Sequence, residues 1–284
     1  MSEANSVSYS KAEIEPALPL RGSVLAVVRI VLFVISAIIA SLTAATLNLV
    51  KGDSIAFRGF YYRVLCRLIG IDVVVRGTQS RAAPRLVVAN HISYFDIVVL
   101  GSVVPGDFVA KADIANWPGF GWMAKAGQTI FIDRRRTATS AARDQIQERL
   151  DAGDTLIMFP EATSGDGNTM KPFKSALFTV AERHVMGADG TERPVTVQPV
   201  SMAYTRLNGM PIGVGWRAFV AWYGDMEMMS HMWQIMRLGK LTAEVTFHPP
   251  VTLAQFASRK ELAAHCDRVT RTGFARLLAG REGA

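Results

Sequence analysis

From Ile30 to Val50 the chain reads IVLFVISAIIASLTAATLNLV, 21 residues without a charge. At 1.5 Å per residue such a helix is about 31 Å long, close to the hydrocarbon thickness of a bilayer. Arg21 and Arg29 precede the run, and Lys51, Arg58, Arg63 and Arg67 follow it. A cleaved secretion signal fits poorly. The run is too long for the apolar part of such a signal, and Glu3, Glu13 and Glu15 spoil a basic leader. A membrane anchor is expected, with a buried core helix as the alternative. The arginine-rich side follows the run, which places Lys51 onward in the cytoplasm. Charge leaves open whether the segment crosses the bilayer or re-enters. Residues 1–20 read as a disordered N-terminus.

The next stretch, Ser54 to Gly70, has another character. On a helical wheel Phe57, Phe60, Tyr61, Val64, Leu65 and Leu68 share one arc, with Arg63 and Arg67 opposite. A basic, aromatic, amphipathic helix suits a membrane interface, and equally a helix packed on its own domain. Its position directly after the apolar run favours the interface. Residues 21–70 are therefore expected to form membrane-anchoring helices.

Composition narrows the partners. Of 284 residues 50% are hydrophobic and 19% charged, and the net charge is +7. So much apolar surface excludes a mainly disordered chain. Two cysteines exclude a disulfide scaffold. A basic, hydrophobic chain points to an anionic partner. Nucleic acid would explain the charge but not the apolar run, and no recognition motif is present.

After Gly70 short β-like runs alternate with helix-like stretches. The runs are Ile71–Arg76, Arg85–Ala89, Asp107–Ala110, Thr129–Ile132, Thr155–Phe159, Val195–Ala203 and Glu244–Phe247. Helices are expected over Asp96–Val104, Ala138–Ala152, Phe173–His184 and Glu261–Leu278. The alternation predicts one α/β domain over residues 71–284, built on a mainly parallel or mixed sheet. In such sheets functional residues collect at the carboxyl ends of strands.

Three strand ends carry chemistry. The string Asn90-His91-Ile92-Ser93-Tyr94-Phe95-Asp96 sets a histidine past a strand and an aspartate five residues on. A carboxylate bonded to one ring nitrogen fixes the tautomer and raises the basicity of the other, which makes a general base for a substrate hydroxyl. The competing reading makes Asp96 a helix N-cap and His91 an ordinary strand-end residue. The second string, Gly127–Arg134, ends a strand in Asp133 and Arg134, followed by Arg135 and Arg136. Arginine offers bidentate donors to phosphates and carboxylates, whereas Arg135 and Arg136 read as a solvated turn. The third, Phe159–Asn168, places Glu161 before small hydroxyl residues and glycines, with Lys171 and Lys174 behind. Alone it is only a turn. Cys66 and Cys266 read as buried or interfacial thiols. The methionines of Tyr223–Met236 suit either an acyl groove or ordinary packing. The histidines lack metal-ligand spacing, so no metal is expected.

Taken together these strings resemble the glycerolipid acyltransferases of the lysophosphatidate acyltransferase type. Asn90–Asp96 matches that family's NHxSxxD block, Gly127–Arg134 its GxxFIxR block and Phe159–Ser164 its FPEGTR block. Val197–Val200 is similar to its proline-containing fourth block. The resemblance covers about residues 55–250. It implies a mixed-sheet acyltransferase domain behind a helical membrane anchor. The implied reaction moves a fatty acyl group from an acyl-carrier protein or coenzyme A thioester to a lysolipid hydroxyl, with the thioester as co-substrate and no further cofactor. On this resemblance His91 is the general base and Asp96 its orienting partner. Arg134 binds the acceptor's anionic head, Glu161 and Thr163 shape that pocket, and Pro199 lies near the donor site. Asn90, Ser93, Ser164 and Lys174 complete the expected substrate-binding set. The implied location is a bacterial-type inner membrane, with catalysis on the cytoplasmic side.

The chain departs from the family in the third block. Ala162 stands where the family has glycine, and Ser164 where it has arginine. Loss of a bidentate phosphate ligand weakens the case for lysophosphatidate. The loop around Thr163–Asn168, with Lys171–Phe178 and Ala221–Met226, is similar to the bacterial branch that acylates lyso-ornithine lipid, an acceptor without phosphate. Lysophosphatidate remains the alternative acceptor. A catalytically silent lipid-binding protein and a hydrolase that activates water with His91 are the competing classes.

Overall fold

The computed structural model describes residues 20–50, 54–117, 119–132, 140–186 and 191–281. The disorder expected for residues 1–20 lies outside them, apart from Leu20. The chain opens with helices α1 (Leu20–Leu49) and α2 (Ser54–Ile69), then β1 (Ile71–Arg76), β2 (Arg85–Ala89), α3 (Phe95–Val103) and β3 (Asp107–Lys111). It continues through α4 (Phe120–Ala126), β4 (Ile130–Ile132), α5 (Ser140–Asp151) and β5 (Thr155–Met158). A hairpin of β6 (His184–Met186) and β7 (Glu192–Pro194) precedes the long β8 (Thr196–Leu207) and β9 (Met210–Pro211). Last come α6 (Val214–Val220), α7 (Met228–Met236), β10 (Leu241–Phe247), β11 (Val251–Thr252) and α8 (Arg259–Leu278).

The sheet is mixed, as expected. Its order is β1-β10-β8-β2-β5-β3-β4, with β9 and β11 paired to β8. Neighbours are parallel except at β10–β8 and where β9 and β11 join β8. β2 lies at the centre, and all five of its residues are buried. A strand covered on both faces needs a continuous apolar run, and Leu86–Ala89 supplies it. On one face Tyr204 of β8 reaches Asp96 of α3. On the other, Ser201 of β8 donates to the carbonyl of Thr270 in α8. The pleat therefore assigns alternate β8 residues to opposite layers.

Several expectations need correction at the element level. Phe173–His184, expected as an amphipathic helix, folds as a 3₁₀ segment over Ser175–Glu182. Its turn closes tightly, with the Leu177 N–H returning to the Lys174 carbonyl. β8 runs four residues beyond the expected Ala203, because Tyr204–Leu207 pair with β10 and β9 despite their polar character.

Helix α1 is mostly exposed, unlike a buried core helix. Its large aliphatic side chains face outward, among them Val24 at 61% and Ile39 at 60% exposed. Its buried side chains are small: Gly22, Ala26, Ala37, Ala40, Ser41 and Ala44. With the half-buried Arg29, Ile30 and Phe33 between Ala26 and Ala37, they form one stripe along the helix. The stripe packs on α2, α4 and α7. Arg29 adds a polar clamp, donating to the carbonyls of Met236 at 3.0 Å and Leu238 at 2.7 Å. A helix with an aliphatic outer face and an alanine inner face suits lipid on one side and protein on the other. α1 is long and apolar enough to cross a membrane, and its outer face marks a membrane-associated protein.

Candidate active site

His91 follows β2 at the carboxyl end of the central strand. Its Nδ1 lies 2.8 Å from Asp96 Oδ2. Asp96 is fully buried, and further donors surround it. The N–H groups of Ile92 at 2.6 Å and Ser93 at 3.0 Å reach Oδ2, and the Tyr204 hydroxyl reaches Oδ1 at 2.9 Å. With its partners accounted for, Asp96 is not an N-cap. That position falls to Tyr94, which makes no side-chain cap. The ring nitrogen facing Asp96 carries the proton, which leaves Nε2 as the free acceptor. Phe159 stacks on the imidazole at 4.1 Å between centroids and 13° between planes.

The backbone of His91 is pinned on both sides. Glu161 Oε1 accepts its N–H at 2.7 Å, and Gly165 N–H donates to its carbonyl at 2.8 Å. Glu161 Oε2 accepts the N–H of Lys171 at 2.6 Å, so one buried carboxylate ties the loop after β2 to the loop after β5. A third loop joins them: Trp222 N–H donates to the Ile92 carbonyl, and its own carbonyl accepts the Ser164 hydroxyl.

Burial pushes the Glu161 carboxyl from its ordinary 4.5 up to about 7, against the pull of its two backbone donors. Between those values the folded chain holds more protons than the unfolded one, so this carboxyl costs stability as pH rises through that window. Glu161→Gln removes the titration. Its unfolding free energy is expected to gain on the wild type from pH about 4.5 to about 7, by an amount on the order of a few kcal/mol, with the thermal midpoint rising in step, and then to hold level. A midpoint difference independent of pH would contradict the assignment.

Ala162 occupies the left-handed region, with φ of +68°. Its Cβ is strained there, which explains the glycine of the related block. Ala162→Gly is expected to stabilise the fold by about 1 kcal/mol. A thermal scan should then show a rise of about 2–4 °C, and an unchanged or lower midpoint would show the loop tolerates the Cβ.

The His91 ring opens onto an apolar cavity of about 210 Å³. One wall comes from Phe33, Ala40, Ser41 and Ala44 of α1, another from Met228, Met232 and Met236 of α7, a third from Phe120, Met123 and Ala124 on α4. Trp222 and Tyr94 stand beside His91. Tyr94 is itself held by His231, its hydroxyl 2.9 Å from Nδ1, while Nε2 of that ring lies 3.1 Å from the Phe219 carbonyl. The cavity runs toward the amino ends of β3 and β4, where it meets Thr129 and Arg58. Arg58 is buried and ion-paired with Asp107.

The remaining expected site residues fall in several places. Asn90 sits next to His91, but both ends of its amide bond the Met202 backbone, at 2.9 and 2.8 Å. It staples β2 to β8 and is almost fully buried. Ser164 is likewise committed, to Trp222. Pro199 shares a face with Ser201 toward α8, opposite the face bearing Asp96, and does not line the cavity. Thr163 and Lys174 are exposed at the loop surface. The Ser93 hydroxyl is fully buried without a hydrogen-bond partner among the described residues. Arg134 lies outside the described residues. Tyr204 and the α1 alanines reach the site through long-range packing, and no local motif marks them; Phe159 and Trp222 fall within matched stretches, but their contacts with His91 and Ser164 are set by packing.

An imidazole backed by a buried carboxylate thus stands at the sheet's carboxyl edge and opens onto an apolar cavity walled in part by α1. Comparison with known proteins gives the family. Residues 72–203 match the model of the family described as Acyltransferase. The chain is 39% identical to a lyso-ornithine lipid O-acyltransferase of Brucella abortus, over 83% of this chain and 88% of that one. It is 36% identical to another from Rhizobium meliloti, over 78% and 75%. Among solved structures, the 1-acyl-sn-glycerophosphate (LPA) acyltransferase PlsC of Thermotoga maritima superposes with a TM-score of 0.50 at 22% identity, covering 88% of this chain and 97% of that one. That likeness is one of fold. The chain belongs to the acyltransferase family.

Proposed function

We propose that the protein transfers a fatty acyl group from a carrier thioester, on acyl-carrier protein or coenzyme A, to the hydroxyl of a lysolipid, with lyso-ornithine lipid as the acceptor. The observation that carries this reading is the 2.8 Å His91–Asp96 contact at the mouth of the apolar cavity. The acyl chain lies in the cavity, which brings the thioester carbonyl to the imidazole. His91 Nε2 takes the proton of the acceptor hydroxyl as its oxygen bonds the carbonyl carbon. Asp96 offsets the charge of the resulting imidazolium. As the tetrahedral adduct collapses the C–S bond breaks, and the imidazolium returns the proton to the departing thiolate. A thioester is already activated, so no acyl-enzyme is required.

The acceptor assignment follows from the loop after β5. Ser164 occupies the place of an arginine and spends its hydroxyl on Trp222, so this loop brings no bidentate phosphate ligand there. The named relatives point the same way.

The α1 stripe supports an in-plane seat. The helix is held against the domain from Gly22 to Ala44, about 33 Å of its length, and so lies along the protein with its aliphatic side in one leaflet. The seat is the cytoplasmic face of a bacterial inner membrane, which the basic residues of α2 favour. The test supplies the purified full chain in mixed micelles with acyl-carrier-protein thioester and a panel of lysolipids. Diacylated product from lyso-ornithine lipid, well above that from lysophosphatidate, is expected. The reverse order would overturn the acceptor. Free fatty acid alone would favour the hydrolase.

A further inference from the structure

Two helices packed against α1 turn large apolar side chains outward that acyl transfer does not use. Trp122 on α4 is 47% exposed and Met229 on α7 is 59% exposed. Neither lines the cavity, although Met123 and Met228 beside them do. A single exposed apolar residue on a soluble surface needs no explanation. These two differ because of their neighbour. α4 and α7 both pack on α1, whose outer face is almost wholly aliphatic. The cavity wall joins α4 to Ala40 and Ala44, and Arg29 ties α7 to the other half of α1. Trp122 and Met229 therefore sit on helices packed beside the outward-aliphatic α1. Lys125, exposed one turn beyond Trp122, adds a cation where headgroup phosphates would lie. An indole, apolar with one donor, suits that interfacial depth.

We propose that bilayer contact extends from α1 onto the outer faces of α4 and α7, with Trp122 and Met229 seated in the lipid interface. The cavity, which both helices help to wall, then lies beside the acyl region of the membrane, where a lysolipid acceptor resides. The proposal rests on the reading of α1 as embedded in lipid, and its test separates the two.

The full chain is prepared as Trp122→Cys, Met229→Cys, Ile38→Cys and Ala264→Cys, each labelled with an environment-sensitive thiol dye. Ile38 lies on the outer face of α1, and Ala264 is exposed on α8, across the sheet. The native thiols do not compete. Cys66 and Cys266 are buried, which pushes them up to about 11 and about 12. With vesicles of phosphatidylcholine and phosphatidylglycerol, dye at positions 38, 122 and 229 is expected to brighten severalfold and to be quenched by nitroxide-bearing lipids. Dye at position 264 should do neither. Water-like dye at 122 and 229, with 38 in lipid, overturns the proposal and leaves the α1 reading intact. Water-like dye at 38 as well removes both. Brightening at 122 and 229 without nitroxide quenching means a protein partner covers this surface, and also overturns the proposal.

Discussion

His91→Ala is expected to lower acyl transfer by about 10²–10⁴-fold, the usual contribution of a positioned general base. The loss should fall on kcat, because the imidazole touches the reacting hydroxyl rather than the acyl chain in the cavity. The His91 side chain is 19% exposed, so its removal leaves no deeply buried partner except Asp96, and the fold should survive. Asp96→Asn tests the same machinery from behind. Asp96 Oδ2 accepts from the His91 ring and from the Ile92 and Ser93 N–H groups. An amide cannot accept from all of these and from Tyr204 while its own NH₂ must donate. The His91 tautomer is then no longer imposed, and activity should fall by a similar order. Tyr204→Phe keeps the His91–Asp96 contact and removes one donor, so a much smaller loss is expected, nearer the roughly 0.5–1.5 kcal/mol of a single hydrogen bond. Steady-state rates with a saturating lysolipid acceptor check the series. Wild-type turnover in His91→Ala would show that the hydroxyl is deprotonated elsewhere.

What could be read from the sequence, and what could not, follows a physical line. His91 and Asp96 stand five residues apart across one turn, so their pairing is local and a short motif encodes it. The apolar run encodes α1 for the same reason, and β1 and β2 have the boundaries their patterns predict. Side-chain direction is a different matter. Asn90 and Ser164 have the right identity for ligands, yet the fold turns them onto Met202 and Trp222 as struts. Pro199 lies in the expected strand, and only the pleat shows that it faces α8. Tyr204 reaches Asp96 from 108 residues away, and Ala40 and Met232 come to line one cavity through packing of separate helices. Contacts of that kind depend on sheet order and crossover, which periodicity does not carry. The methionines of Tyr223–Met236 fit either a groove or a core, and the structure shows both: Met228, Met232 and Met236 line the cavity while Met232 and Met236 are buried.

The cavity wall carries the second large effect. Ala40 of α1 and Met232 of α7 both line it, and both are almost fully buried. Ala40→Leu adds three carbons to the wall and takes that room from the acyl chain. A buried methylene contributes about 0.8 kcal/mol, close to fourfold in relative rate. Excluding about three methylenes should therefore shift the ratio of kcat/KM for long against short acyl donors by roughly 50-fold toward short chains. Met232→Ala has the opposite sense. It opens the cavity, and an empty cavity costs about 2–5 kcal/mol of stability when nothing refills it. A longer acyl chain can refill it, so this variant should favour donors longer than the wild type prefers and be stabilised by them. The two signs together make the test robust. An overpacked or loosened core lowers rates for every chain length, whereas only a wall in contact with the acyl chain moves the preference in opposite directions in the two variants. Competition among carrier thioesters of mixed chain length reads the outcome directly. Reduced rates with an unchanged chain-length profile in both variants would place the acyl chain outside this cavity, and with it the reason for α1 to present alanine rather than leucine to the protein interior.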